Sequence, residues 1–178
     1  MKFIWNMDTI GLVAPKQWGK TTIIKYILRH IDKRRVFILD SNLEYRDFPN
    51  AIIPKYYNQL ELDKFLIKCR QHYNILVIVE DLDLYISTYP SEEFKKLLIN
   101  GSHQNIGLIY TAKRAVGIPK LILTETKHLF VGRFIIPNDI NYLSGIFKNV
   151  ERIKQLQRYE FLYKNRDTGE ESIFRLNI

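Results

Sequence analysis

Three short stretches of this chain carry residues that could do chemistry together. The first is Ala14-Pro-Lys-Gln-Trp-Gly-Lys-Thr-Thr22, between an apolar run from Ile10 and an amphipathic run to about His30. Strand, loop and helix in that order are the context a phosphate-binding loop needs. Pro15, Lys16, Gln17, Trp18, Gly19, Lys20, Thr21 and Thr22 form the loop that would wrap a triphosphate, through backbone N–H groups and the positive end of the following helix. Lys20 would reach the β- and γ-phosphates, and the Thr21 hydroxyl would ligate Mg²⁺. The spacing matches G-x-x-x-x-G-K-[ST] except at the first position, where Ala14 stands. Ala enters a positive-φ turn less readily than Gly. Gly11 lies too far back to substitute.

The second stretch, Glu80-Asp81-Leu82-Asp83, follows five apolar residues, Ile75 to Val79. Hydrolysis of a triphosphate needs one carboxylate near the metal and its waters, and another to orient or deprotonate the attacking water. Glu80 on the metal side with Asp81 as base is one assignment. Asp81 on the metal with Asp83 as base is the shifted one. Both demand a strand that ends beside the phosphate loop. The third stretch is Thr111-Ala-Lys-Arg114, the end of another apolar run. Lys113 stands where a side chain could sense the γ-phosphate or simply face solvent. Asp40 ends a further strand and could close a hydrogen-bond network at the base of the site or form a plain turn.

The elements that must position these residues follow from apolar spacing. Short apolar runs predict buried strands at Ile10–Ala14, Val36–Leu39, Ile75–Val79 and Gly107–Thr111, and Leu129–Ile136 reads as the next strand. Three-and-four spacing predicts helices at Thr21–His30, Leu60–His72, Ser91–Asn100, Asn138–Phe147 and Val150–Gln157. Lys33-Arg34-Arg35 reads as the cationic end of the first helix, and Cys69 as core. Residues 2–8 read as an edge strand or arm, and 48–57 as loop with a short strand. Tyr159–Tyr163 and Ser172–Leu176 flank Asn165-Arg-Asp-Thr-Gly169, a hairpin signature. Alternating strands and helices imply an α/β fold with a mostly parallel sheet and ligands at the strand C-terminal ends.

The chain has 178 residues, which suits a single domain over 1–178. It is 46% hydrophobic, enough for a substantial core, with a net charge of +8 that favours a polyanionic partner. One cysteine excludes an internal disulfide and suits a reducing compartment. No apolar run approaches the ~20 residues of a membrane span, and the first residues lack the features of a signal peptide. The four histidines have no metal-ligand spacing.

Val36-Phe-Ile-Leu-Asp-Ser-Asn-Leu-Glu-Tyr45 resembles the strand-Asp-x-x-x-Glu-Tyr segment of HerA-type ATPases. Ile106-Gly-Leu-Ile-Tyr-Thr-Ala-Lys-Arg114, with Ile118-Pro119 beyond it, resembles the G-apolar-apolar-x-[ST]-x-Gln-Arg…Pro segment of the FtsK–HerA superfamily. The phosphate loop, the acidic strand end and these segments occur in that family's order. The likeness is nearest to the short genome-packaging ATPases of membrane-containing and archaeal viruses, which also finish in a hairpin. The resemblance implies a RecA-like domain that binds ATP and Mg²⁺ and assembles into a homo-oligomeric ring, a pentamer or hexamer, threading double-stranded DNA. Capsid or membrane-associated virion proteins would be further partners, in the host cytoplasm or the virion. It also implies a neighbour's arginine acting in trans, for which Arg114 and then Arg133 are the candidates. The chain departs from the family at Ala14, in the order of Glu80 and Asp81, and at Lys113, where the family has Gln. A virion assembly protein of the zonular-occludens-toxin type shares the same features without a need for DNA translocation. A small-molecule kinase would keep the first loop Gly and carry an Arg-rich lid, which is not evident.

Overall fold

The computed structural model describes residues 3–86 and 88–176. In chain order the elements are β1 (Thr9–Val13), α1 (Lys20–Leu28), β2 (Val36–Leu39), β3 (Asn50–Ile52), α2 (Gln59–Cys69), β4 (Ile75–Val79), α3 (Glu92–Asn100), β5 (Ile106–Ala112), α4 (Lys120–Glu125), β6 (His128–Val131), α5 (Pro137–Ser144), β7 (Glu160–Asn165) and β8 (Glu171–Arg175). They build one eight-stranded sheet in the order β3-β2-β4-β5-β1-β6-β7-β8. The first six strands in that order are parallel, and β7 and β8 add an antiparallel edge.

Strands β2 and β4 are apolar along their length because both faces are covered. Every residue of β2, β4, β5 and β6 is buried. On one face Ile23, Ile24, Ile27 and Leu28 of α1 pack with Ile10, Leu12, Ile38 and Ile78. On the other, Leu62, Phe65 and Leu66 of α2, Phe94 and Leu97 of α3 and Leu143 of α5 pack with Val13, Val77, Val79 and Leu108. Alternate residues of one strand thus serve opposite cores, and each large apolar side chain so buried contributes roughly 1.5–3 kcal/mol. Asn58 caps α2 through Glu61 N–H, and Ser91 caps α3 through Phe94 N–H, as a helix start requires.

Several sequence expectations shift. The first helix stops at Leu28, and Lys33–Arg35 forms a separate 3-10 turn capped by Asp32, whose side chain accepts from Arg34 N–H. The strand expected over Leu129–Ile136 ends at Val131. Its next residue, Gly132, packs so closely under Trp18 that a Cβ there would lie 2.6 Å from the indole Cδ1. Val150–Gln155 is a 3-10 turn rather than a helix. Helix α4 was not signalled, because six residues give too little periodicity to read. Of the stretch 2–8, Lys2 lies outside the described residues. Residues 5–7 form a turn, not a strand. Cys69 is core, as expected. Among the described residues no helix is long and apolar enough to cross a membrane.

The register brings the C-terminal ends of β1, β5 and β4 to one edge of the sheet, where an open parallel sheet holds its ligand. Strand β5 lies between the other two, so the acidic strand stands one place away from the phosphate-loop strand.

Candidate nucleotide-binding site

The loop leaves β1 with Ala14 N–H donating to Ala112 O at 3.0 Å. Ala14 is fully buried and takes no positive φ. The left-handed positions fall later, at Gln17 (φ 59°) and Gly19 (φ 101°). The missing first glycine therefore costs nothing in backbone strain. Gly19 is the position that demands glycine: its φ disfavours any side chain, and a Cβ would sit 3.1 Å from both the Tyr159 ring and Leu176. Unlike α2 and α3, α1 has no side-chain cap and no acidic residue in its first turn. Its first N–H groups thus lack a side-chain acceptor, the arrangement that receives an anion.

Lys20 points back along the loop. Its Nζ donates to Ala14 O at 2.6 Å and Pro15 O at 3.0 Å. Burial pulls its pKa below the usual lysine value, against the pull of Asp81, Asp83 and Glu80. Lys20 and Thr21 line a pocket of about 260 Å³ with Lys16, Gln17, Asn42, Glu44, Glu80, Asp81, Thr111 and Lys113. The three stretches that the sequence marks out therefore meet in one place.

Asp81 is 2% exposed and holds a left-handed backbone (φ 49°) at the end of β4. Its N–H donates to Thr111 Oγ1 at 2.8 Å, which ties the ends of β4 and β5 together. Its Oδ2 accepts from Asn42 Nδ2 at 3.1 Å and pairs with Lys113 Nζ at 2.6 Å. Lys113, where the resembling family has Gln, thus provides a cation for this carboxylate. Asp83 holds the same lysine from behind, accepting Lys113 N–H on Oδ2 at 3.2 Å, and does not line the pocket.

Glu80 is 1% exposed and accepts from Asn42 Nδ2 at 3.2 Å. Burial pushes its pKa up to about 8, with the Asn42 hydrogen bond acting in the opposite sense. A carboxyl whose folded pKa lies above its unfolded value of 4.5 weakens the fold as pH rises from there through about 8. We therefore expect Glu80→Gln to raise the melting temperature of the nucleotide-free protein at pH 8, by on the order of a few kcal/mol of stability, with little gain at pH 4.5. Thermal melts across that range check it. A gain that is flat or falls with pH would show that Glu80 is not held in this way.

Asp40 braces a turn beside the pocket. Buried at the end of β2, it accepts Glu44 N–H and Tyr45 N–H, both at 3.0 Å. With Leu43 left-handed (φ 60°), this turn places Asn42 and Glu44 on the pocket. Residue types did not single out either one; the Asp-x-x-x-Glu-Tyr spacing marked Glu44 alone, and Asn42 falls on one of its open positions. A second cleft, about 290 Å³, adjoins the first through Gln17, Lys20, Thr21 and Glu44 and adds Trp18, Gly19, Thr22, Arg158 and Tyr159. No sequence signal marked Arg158 or Tyr159.

Thr21, Glu80 and Asp81 offer hard oxygens beside Lys20, a donor set that suits Mg²⁺. Among the described residues no group of three or more His, Cys, Asp or Glu could hold a metal by itself. Arg114 lies outside both clefts. Its guanidinium pairs with the buried Asp139 at 2.9 Å, and Asp139 also accepts Ala115 N–H and Val116 N–H. Arg133 is exposed after β6, with no ion pair among the described residues.

No family model matches the chain, and no curated protein matches it in sequence. Solved structures do match in shape. The genome packaging NTPase B204 from Sulfolobus turreted icosahedral virus 2, in complex with ATP-gammaS, superposes with a TM-score of 0.84 at 17% identity over 98% of this chain and 100% of that one. The conjugation coupling protein TcpA of pCW3 gives 0.67 at 16% identity over 98% of this chain and 62% of that one. The N-terminal domain of zonular occludens toxin from Neisseria meningitidis gives 0.52 at 13% identity over 96% and 95%. The chain has the fold of a RecA-like P-loop NTPase, and its structural neighbours are a viral genome-packaging NTPase, a conjugation coupling protein and a zonular occludens toxin domain.

Proposed function

We propose that the protein is a Mg²⁺-dependent ATPase that translocates double-stranded DNA as a homo-oligomeric ring, packaging a viral genome. The observation that carries the ATPase reading is the convergence of Lys20, Thr21, Glu80, Asp81 and Lys113 on one pocket. Lys20 and the α1 N-terminus hold the phosphates. Thr21 and Glu80 are the residues that would hold Mg²⁺, which would supply neutralising charge to the phosphate oxygens. Asp81 takes the proton of the attacking water, and Lys113 holds Asp81 in place. The +8 charge and the likeness to a packaging NTPase support DNA as the polyanion. With Arg114 tied to Asp139, Arg133 becomes the freer candidate to complete a neighbour's site.

The test is ATP turnover with duplex DNA of unrelated sequences, repeated at increasing protein concentration. We expect stimulation that ignores sequence and turnover per subunit that rises with concentration. DNA affinity should fall by at least about tenfold between about 50 and about 200 mM salt, because phosphate contacts release counterions. ATP turnover with no DNA binding at low salt would instead favour the assembly-protein reading, which uses the same pocket.

A further inference from the structure

The phosphate loop is fastened to a segment far from it in sequence. Trp18 Nε1 donates to Glu160 O at 2.8 Å, 142 residues away. Gly19 abuts the Tyr159 ring and Leu176, and Leu176 N–H donates to Tyr159 O at 3.0 Å. Tyr159 itself holds a left-handed backbone (φ 71°). That conformation is costly for an aromatic residue and persists where the surroundings impose it. Here it turns the chain at the entry to β7, with the Arg158 guanidinium 4.8 Å from the Tyr159 ring centroid. Arg158 is exposed and makes no ion pair among the described residues.

The two adjoining clefts divide by chemistry. The one with Glu80, Asp81 and Lys113 holds the reacting end. The other runs along Gly19 to Thr22, the start of α1, to Arg158 and Tyr159. A triphosphate whose γ-phosphate faces Asp81 must send its nucleoside the other way. The geometry points to Arg158 and Tyr159 as the nucleoside-binding face of the site, a cation–aromatic pair that takes a purine by stacking. This inference rests on the phosphate-loop reading of Lys20 and extends it to the base. A guanidinium and a phenol ring both present flat surfaces to a base, and stacking favours the larger purine over a pyrimidine.

The test compares binding of ATP, CTP and inorganic triphosphate to the wild type, Arg158→Ala and Tyr159→Asn. Asn tolerates the left-handed backbone, so the turn survives. We expect each variant to bind ATP about tenfold more weakly, within the range measured for lost base stacking. Inorganic triphosphate should bind wild type and Arg158→Ala alike, because Tyr159 but not Arg158 packs on the loop at Gly19, and wild type should prefer ATP to CTP. Equal ATP affinity in wild type and Arg158→Ala would overturn the assignment. A parallel loss of triphosphate affinity would also overturn it, by making Arg158 a phosphate ligand. Wild type that binds neither ATP nor triphosphate would instead sink the phosphate-loop reading itself.

Discussion

Lys20→Ala will lower ATP turnover by about 10³-fold or more, the scale on which removing a positioned charge at a transferring phosphoryl group is felt. It will also weaken triphosphate binding. Lys20 is the one cation that the pocket places on the loop's own helix beside Thr21. Its bonds to Ala14 O and Pro15 O hold it over the hollow of the loop. Lys20 is half-buried, burial draws its pKa down, and a charge partly shielded from water acts on an anion more strongly than one in water. The two carbonyls can turn to water in the variant, so the fold should survive. The measurement is steady-state turnover alongside binding of a non-hydrolysable ATP analogue, with circular dichroism as the folding control. Turnover within tenfold of wild type would mean that the loop is not the site.

Asp81→Asn will bind ATP at least as well as wild type and hydrolyse it roughly 10²-fold or more slowly, as loss of a general base should. The substitution is gentle to the backbone, because Asn tolerates the left-handed conformation at this position. What it removes is charge. Lys113, no longer paired at 2.6 Å, is then free to meet the γ-phosphate, so ATP binding should tighten while the chemical step fails. That opposite movement of binding and turnover separates a base from a residue that merely supports the fold. Lys113→Gln, the residue of the resembling family, should move binding the other way by exposing ATP to an unneutralised Asp81. The shifted assignment makes a different forecast: Asp83→Asn would stop turnover and Asp81→Asn would not. Asp83 grips Lys113 N–H and lies off the pocket lining, so we expect Asp83→Asn to act mainly on stability.

The phosphate loop and the acidic strand end were legible because both are local. Five apolar residues from Ile75 to Val79 read as a buried parallel strand in any context, and Glu80–Asp83 follow directly. Gly19-Lys20-Thr21 between β1 and α1 carries its geometry in its own backbone. The concern over Ala14 came from applying a pattern by position. The left-handed turns fall at Gln17 and Gly19, so the residue that must lack a Cβ is the second glycine of the pattern. Short elements failed for the opposite reason. Six residues of α4 and the 3-10 turn at Val150–Gln155 are too brief for a period to show, and their form is set by neighbours.

By itself, the sequence determined the α/β class, the strands β1, β2, β4 and β5, and the residue types available for phosphate chemistry. These depend on side-chain period and on contacts a few residues apart. Only the tertiary structure decided which of those residues share a pocket. Sheet order inserted β5 between β1 and β4, so Thr111 and Lys113 reach Asp81 from the neighbouring strand. It gave Arg114 to Asp139, brought Asn42 and Glu44 in on a turn that Asp40 holds, and folded Arg158 and Tyr159 back onto the phosphate loop. Each of those meetings joins segments distant in the chain, and no local preference encodes them. They exist because burying the apolar faces of the sheet fixes where every strand ends, and the polar side chains at those ends must then pair with whatever the packing sets beside them.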